Sequence, residues 1–118
     1  MTIEEVAKKY DVSLIVLFGS QAKGNTHKHS DTDVAFLPNK NLSFLEESGL
    51  VGDIGQTLKT DVDAINIKKA SPLILYNIFK YGKSLYEKDR GLFSEYFIKS
   101  LRLYEEATPL YKLRLALL

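Results

Sequence analysis

The sequence predicts an α/β (α+β) domain, a small mixed β-sheet flanked by helices and followed by a C-terminal helical stretch. Three observations predict it. Short apolar runs of strand length recur at Ser13–Phe18, Asp33–Leu37 and Asp61–Ile67. The stretches between and after them carry apolar residues at helical spacing. Residues that start helices stand at the heads of those stretches: Thr2, Ser43 and the pair Ser71-Pro72. With 118 residues, 45% of them hydrophobic, the chain has the length and apolar content of one domain, read as spanning residues 1–118.

Thr2 to Tyr10 is a short helix. Thr2 caps it, Glu4 and Glu5 lie in the first turn, and Lys8 and Lys9 in the last, matching the helix dipole. Ile3, Val6, Ala7 and Tyr10 form its apolar face. Ser13 to Phe18 is apolar on both faces, which predicts a central, covered strand. Gly19-Ser20 turns the chain into a short helix at Gln21–Lys23, Gly24 ends that helix, and 25–30 is a polar loop. Asp33–Leu37 is the second strand, stopped by Pro38-Asn39.

Ser43 and Glu46 form a capping box for a helix over 42–58. Leu45, Leu50, Val51, Ile54 and Leu58 mark its apolar spacing, and Gly49, Gly52 and Gly55 predict an interruption in it. The alternating DVDAINI is the third strand. A helix then runs from Ser71-Pro72 to Tyr81, with Gly82 closing it. Lys83–Tyr86 is a short edge strand. Asp89 opens a long helical stretch with an apolar stripe of Leu92, Phe93, Tyr96, Phe97, Leu101 and Tyr104, of which the aromatic Phe93, Tyr96, Phe97 and Tyr104 read as core. Pro109 is expected to kink or break it.

Composition narrows the function. Sixteen basic and fifteen acidic side chains leave a formal charge of +1, without the basic face that a nucleic-acid footprint needs. There is no cysteine, so thiolate metal sites and disulfides are excluded, and a metal would be a hard ion held by oxygen, with the two histidines as the second choice of ligand. No apolar run approaches the length of a membrane span. The charged, amphipathic start MTIEEVAKKY has no signal-peptide core, so the cytoplasm is the expected location.

The chemistry gathers at 14–37. Gly19 lets backbone approach a ligand, and the amides and hydroxyl at Ser20 suit phosphate oxygens. Asp31 and Asp33, one residue apart on extended chain, point to one side and suit one or two Mg²⁺ ions. A third carboxylate would complete such a site. Asp63, inside the third strand, is the first choice and is expected to be near-buried; Asp61, nearer the strand end, is the second. Metal ligation and general-base action toward an acceptor hydroxyl are the roles open to it. Read singly, a Gly-Ser turn is an ordinary strand-to-helix turn and a loop Asp is ordinary solvated side chain; the combination is what points to phosphate and metal.

Gly19-Ser20, ten residues, then Asp31-Thr32-Asp33 resembles the GS-x10-DxD signature of minimal nucleotidyltransferases of the DNA polymerase β superfamily. Average composition would produce those four fixed positions on the order of one time in a thousand in a chain this long. DAINIKKASPLILYNIFKYGKSLYEKD continues the likeness to the family's DxVDLxxASPxLxxxIxxxGxxLYxxD segment, and the resemblance covers roughly residues 10 to 90. It implies the nucleotidyltransferase fold, with a catalytic core at about 10–90 and helices at about 89–118. It implies Asp31, Asp33 and Asp63 as metal-binding, catalytic residues, and Gly19, Ser20 and Lys23 as nucleotide contacts.

Within the superfamily the chain is most similar to the MNT antitoxins of HEPN–MNT toxin–antitoxin pairs. That resemblance implies ATP as donor, two Mg²⁺ ions as cofactor, and transfer of AMP to a tyrosine of a HEPN ribonuclease toxin, which is silenced. It implies a hetero-oligomer with that toxin, with no direct nucleic-acid or membrane partner. The alternatives are a small-molecule hydroxyl as acceptor, or an antitoxin that acts by binding alone. Gln21 stands where the family often has Arg, and Asn66 where it has a second Asp on the third strand; neither is a metal-ligand position. His27 and His29 are read as solvated loop side chains; Lys28, like Lys23, is open to steering ATP or to being a solvated loop charge. The apolar tail, residues 110–118, is read as a partner-binding or self-association surface.

Overall fold

The apolar run that ends at Phe18 becomes an inner strand because it is apolar on both sides and can be covered twice. A computed structural model of the chain describes residues 1–19 and 32–117, with side chains through residue 109. The order is α1 (Ile3–Lys9), β1 (Val12–Phe18), β2 (Thr32–Pro38), α2 (Phe44–Leu58) and β3 (Val62–Asn66), then a one-turn 3-10 helix at Ile67–Lys69, α3 (Pro72–Tyr81), β4 (Lys83–Glu87) and α4 (Leu92–Leu117). The sheet order is β3-β2-β1-β4. β1 runs antiparallel to β2 and β4, and β2 runs parallel to β3, so the sheet is mixed as expected.

Alternation sends successive residues of β1 and β2 to opposite faces. Val12, Ile15, Val34 and Phe36 pack with Val6 and Ala7 of α1 and Leu50 and Ile54 of α2. Leu14, Val16, Ala35 and Leu37 pack with Ile67, Ile78 and Phe79, and half-buried Phe93, Tyr96 and Phe97 of α4 close over them. A fully buried Leu, Ile or Phe contributes about 2 kcal/mol, whereas exposed ion pairs such as Lys8–Glu4 contribute little. The two apolar layers therefore hold the sheet.

Local signals start the helices as expected. Thr2–Glu5 and Ser43–Glu46 both form complete capping boxes, and the Ser71 hydroxyl accepts from the Ile74 N–H with Pro72 in the first turn. Each backbone N–H given to Glu5 and Glu46 stabilises the charged form, and both carboxyls sit below their ordinary range.

Three expectations are corrected. The helix α2 is continuous over 15 residues through its three glycines. A Cβ on Gly49 would stand 2.7 Å from the Tyr10 hydroxyl, and one on Gly55 3.0 Å from the Thr60 carbonyl, so two of the three allow close packing rather than a break. Leu45 is not core but exposed. Gly82 ends α3 as expected, in an extended conformation. The helix α4 begins at Leu92, its Phe93 N–H donating to the Glu87 carboxylate at 2.7 Å, and it runs on through Pro109. No helix among the described residues is long and apolar enough to cross a membrane.

Candidate active site

The parallel register of β2 and β3 pairs Asp33 with Asp63. Neighbouring strands lie about 4.8 Å apart, and residues paired across them face the same side of the sheet. For Asp33 that side is the one of Ala35 and Leu37; for Asp63 it is the one of Ile65. Two residues thirty positions apart in sequence thus present carboxylates together at the ends of two strands.

Asp33 is half-buried. On its other flank it pairs with Phe18 of β1, and the chain turns at Gly19 immediately after. Gly19 has φ +77°, and a Cβ there would fall 2.1 Å from Asp33 Oδ2 and 2.9 Å from its Cγ. The sequence suggested that this glycine admits a ligand. The structure adds a second reason: its bare Cα makes room for the Asp33 carboxylate, and its φ is one that other residues rarely adopt.

Asp63 is exposed, which corrects the expectation that it would be near-buried. The expectation rested on its place inside the strand, between Val62 and Ala64, but β3 is at the edge of the sheet. Among the described residues Asp63 has no hydrogen-bond or ion-pair partner, so its carboxylate is open to a ligand. Asp61 is also exposed and lies just before β3. Its carbonyl accepts the Thr32 N–H at 2.9 Å, and the Thr32 hydroxyl donates to that of Thr60 at 3.3 Å. These bonds fasten the start of β2 to the lead into β3, and so set the Asp33–Asp63 pairing. Sequence reasoning passed over Thr32 and Thr60; the one local hint was Thr32's place between two acids.

Asn66 has a structural task. Its side-chain oxygen accepts from the Lys68 N–H at 2.9 Å and caps the 3-10 turn. Ser20, Gln21, Lys23, His27, Lys28, His29 and Asp31, and with them the short helix expected at Gln21–Lys23, lie outside the described residues. No group of three or more metal-ligating side chains occurs among the described residues. Asp33 and Asp63 alone are nevertheless a pair of hard oxygen donors, one strand apart on one face, and such a pair fits Mg²⁺. It does not fit a thiophilic ion.

An apolar cavity of about 380 Å³ lies at the other end of β2, lined by Leu37, Phe79 and Tyr96 and rimmed by Lys68 and Lys99. Asp33 and Asp63 do not line it, so the largely apolar hollow and the acidic end are separate features.

A family model described as "Polymerase beta, Nucleotidyltransferase" matches residues 1–91. The chain is 30% identical over 96 residues to a protein of Shewanella oneidensis named protein adenylyltransferase MntA; the match spans 80% of this chain and 67% of that one. Its fold is similar to that of a solved toxin–antitoxin complex with AMP-PNP, at TM-score 0.81 and 23% identity, covering 97% of this chain and 93% of the other. It is also similar to a chain of the complex between a tri-AMPylated Shewanella oneidensis HEPN toxin and its MNT antitoxin, at TM-score 0.75 and 21% identity, covering 97% and 90%.

Proposed function

The chain belongs to the polymerase β-type nucleotidyltransferase family, and from that premise we propose that it is a protein adenylyltransferase. It takes AMP from ATP and attaches it to a tyrosine hydroxyl of a cognate HEPN toxin, so acting as that toxin's antitoxin in the cytoplasm. The whole chain, 1–118, serves as one minimal nucleotidyltransferase domain. The observation that carries this reading is the pairing of Asp33 with Asp63 across parallel strands, with Gly19 closed against Asp33. The relative named protein adenylyltransferase supports the choice of a protein acceptor.

In this mechanism the amides and hydroxyl at Gly19-Ser20, with Lys23, bind the terminal phosphates of ATP. Asp31, Asp33 and Asp63 hold Mg²⁺, which when bound neutralises charge on the triphosphate. Asp63, exposed at the strand edge, takes the proton of the acceptor hydroxyl. The acceptor oxygen bonds to the α-phosphorus, the bond from α-phosphorus to the bridging oxygen breaks, and pyrophosphate leaves. Positioning and charge neutralisation supply most of the rate.

The test is a mass spectrum of the HEPN protein after incubation with this chain, ATP and Mg²⁺. The expected outcome is one or more added AMP groups. Asp33→Asn and Asp63→Asn should each lower the transfer rate about a thousandfold while leaving the melting curve in place. An inhibited but unmodified HEPN protein would sink the enzyme and leave an antitoxin that acts by binding.

A further inference from the structure

We propose that Thr32 and Thr60 are positioning residues for the metal. Their hydroxyls close a hydrogen-bonded ring that clasps β2 to the lead into β3 and holds the Asp33 and Asp63 carboxylates together before a cation arrives. This rests on the reading of Asp33 and Asp63 as a metal-holding pair and deepens it, since it names what fixes their spacing.

The ring closes on itself. The Thr32 N–H donates to the Asp61 carbonyl at 2.9 Å. The Thr32 hydroxyl donates to the Thr60 hydroxyl at 3.3 Å. The Thr60 hydroxyl donates in turn to the same Asp61 carbonyl, at a longer 3.5 Å. Thr32 is 5% exposed, so little water can replace a partner its hydroxyl loses. Thr60 is anchored from behind by α2. Its N–H donates to the Gly55 carbonyl at 3.1 Å, and Lys59 just before it turns the chain out of the helix with φ 59°.

The position of the ring gives it a task. Thr32 pairs with Val62 and Asp33 with Asp63, so the ring sits one rung from the acids, at the end of the β2–β3 ladder. Element ends open more readily than their middles. Like charges directly opposite each other on paired strands are destabilising, and without a cation Asp33 and Asp63 are such a pair. The ring opposes that repulsion where the ladder is weakest.

It does so without crowding the acids. Val62 packs on the α1–α2 side of the sheet, and Thr32, its partner in register, faces that side too. Asp33 and Asp63 face the α3–α4 side. One face fastens the strands and the other is left for the ion. Threonine suits the task because its branched Cβ restricts χ1 and so holds the hydroxyl in place. Groups that orient metal ligands without touching the metal are worth tenfold or more in metal affinity, as an order of magnitude.

The test uses the full chain without ATP or HEPN protein. Mn²⁺, which suits the same carboxylate ligands, is titrated in and its free-ion spin-resonance signal is followed. Hydrogen exchange at the Thr32 amide reports opening of the ladder end. Thr32→Val and Thr60→Val, which keep the branched shape and lose the hydroxyl, should each weaken Mn²⁺ binding about tenfold and speed that exchange. Thr32→Ser and Thr60→Ser should stay close to wild type. In the double variant Thr32→Val/Thr60→Val no hydroxyl is stranded, so the melting temperature should recover while Mn²⁺ binding stays weak. Recovery of both would reduce the ring to a packing contact and overturn the proposal. Unchanged Mn²⁺ binding in the single valine variants, beside a wild type that binds, also overturns it and leaves the metal reading of the acids standing. A wild-type chain that binds no Mn²⁺ sinks the metal reading itself, and the proposal with it.

Discussion

Gly19 and Gly82 both leave out a side chain beside β1, but they protect different things. A Cβ on Gly82 would stand 2.2 Å from the Ile78 carbonyl, 2.6 Å from Val16 Cγ1 and 3.2 Å from the Leu17 carbonyl. These are backbone and fully buried core atoms, which have nowhere to go. A Cβ on Gly19 would meet the Asp33 carboxylate, side-chain atoms of a half-buried residue near the start of β2 rather than backbone or core. Packing around Gly82 locks α3 to the sheet; packing around Gly19 sets where an acid points. One close approach serves the fold and the other serves the site.

The contrast can be broken by experiment. Gly82→Ala should have the largest effect on stability, about 3 kcal/mol, read as a shift of the urea midpoint. If the loss were below 1 kcal/mol, the helix–sheet contact would be looser than described. Gly19→Ala should cost less stability, about 1–2 kcal/mol, because the backbone there has positive φ. Its main effect should be on AMP transfer, about a hundredfold, since small misplacements of a reacting group are expensive. Equal losses of stability from the two variants would erase the distinction between fold glycine and site glycine.

Two smaller effects sharpen it, both on the α1–α2 side. Asp53 accepts from Lys9 Nζ at 2.9 Å and from the Tyr10 hydroxyl at 2.7 Å. Those two bonds, the Lys9 one first, hold its carboxyl below the ordinary value of 3.8. Burial, and then Asp53, push the Tyr10 hydroxyl up. A lowered carboxyl stabilises the fold above its unfolded value and loses that contribution as pH falls through its folded value. Stability should therefore decline below about pH 4, and Asp53→Asn should flatten the decline. A decline of unchanged steepness in that variant would assign acid sensitivity to other carboxyls. Last, Thr2→Ala removes a cap and should cost about 1 kcal/mol, seen in thermal melts, with AMP transfer untouched.

Much of the fold was legible because its signals are local. A cap and its partner lie three residues apart, so Thr2–Glu5 and Ser43–Glu46 could be read directly. The apolar run of β1 and the alternation in β3 marked strands for the same reason. Asp33 could be singled out at the edge of an apolar strand and Asp63 inside an alternating one, and the Gly-Ser and Asp-Thr-Asp spacing supplied a family. Interactions made across the chain were not legible. The three glycines of α2 argue against a helix when taken one turn at a time. Gly49 and Gly55 make sense once Tyr10 and Thr60 are seen against them. Glu87 as the cap of α4 joins an edge strand to the helix after it, and no fixed motif marks that.

By itself, then, the sequence determined which segments are strands and helices, where most of them start, and which acids are candidates for chemistry. Those properties follow from backbone preference and from side chains a few residues apart. The tertiary structure decided that β3 is an edge strand, that Asp63 is consequently exposed, and that Asp33 lies one strand away from it with Gly19 beneath its carboxylate. Each depends on which strands pair and in what register. Register is set by burying apolar faces on both sides of the sheet at once, a condition on the whole chain that no short stretch of it contains.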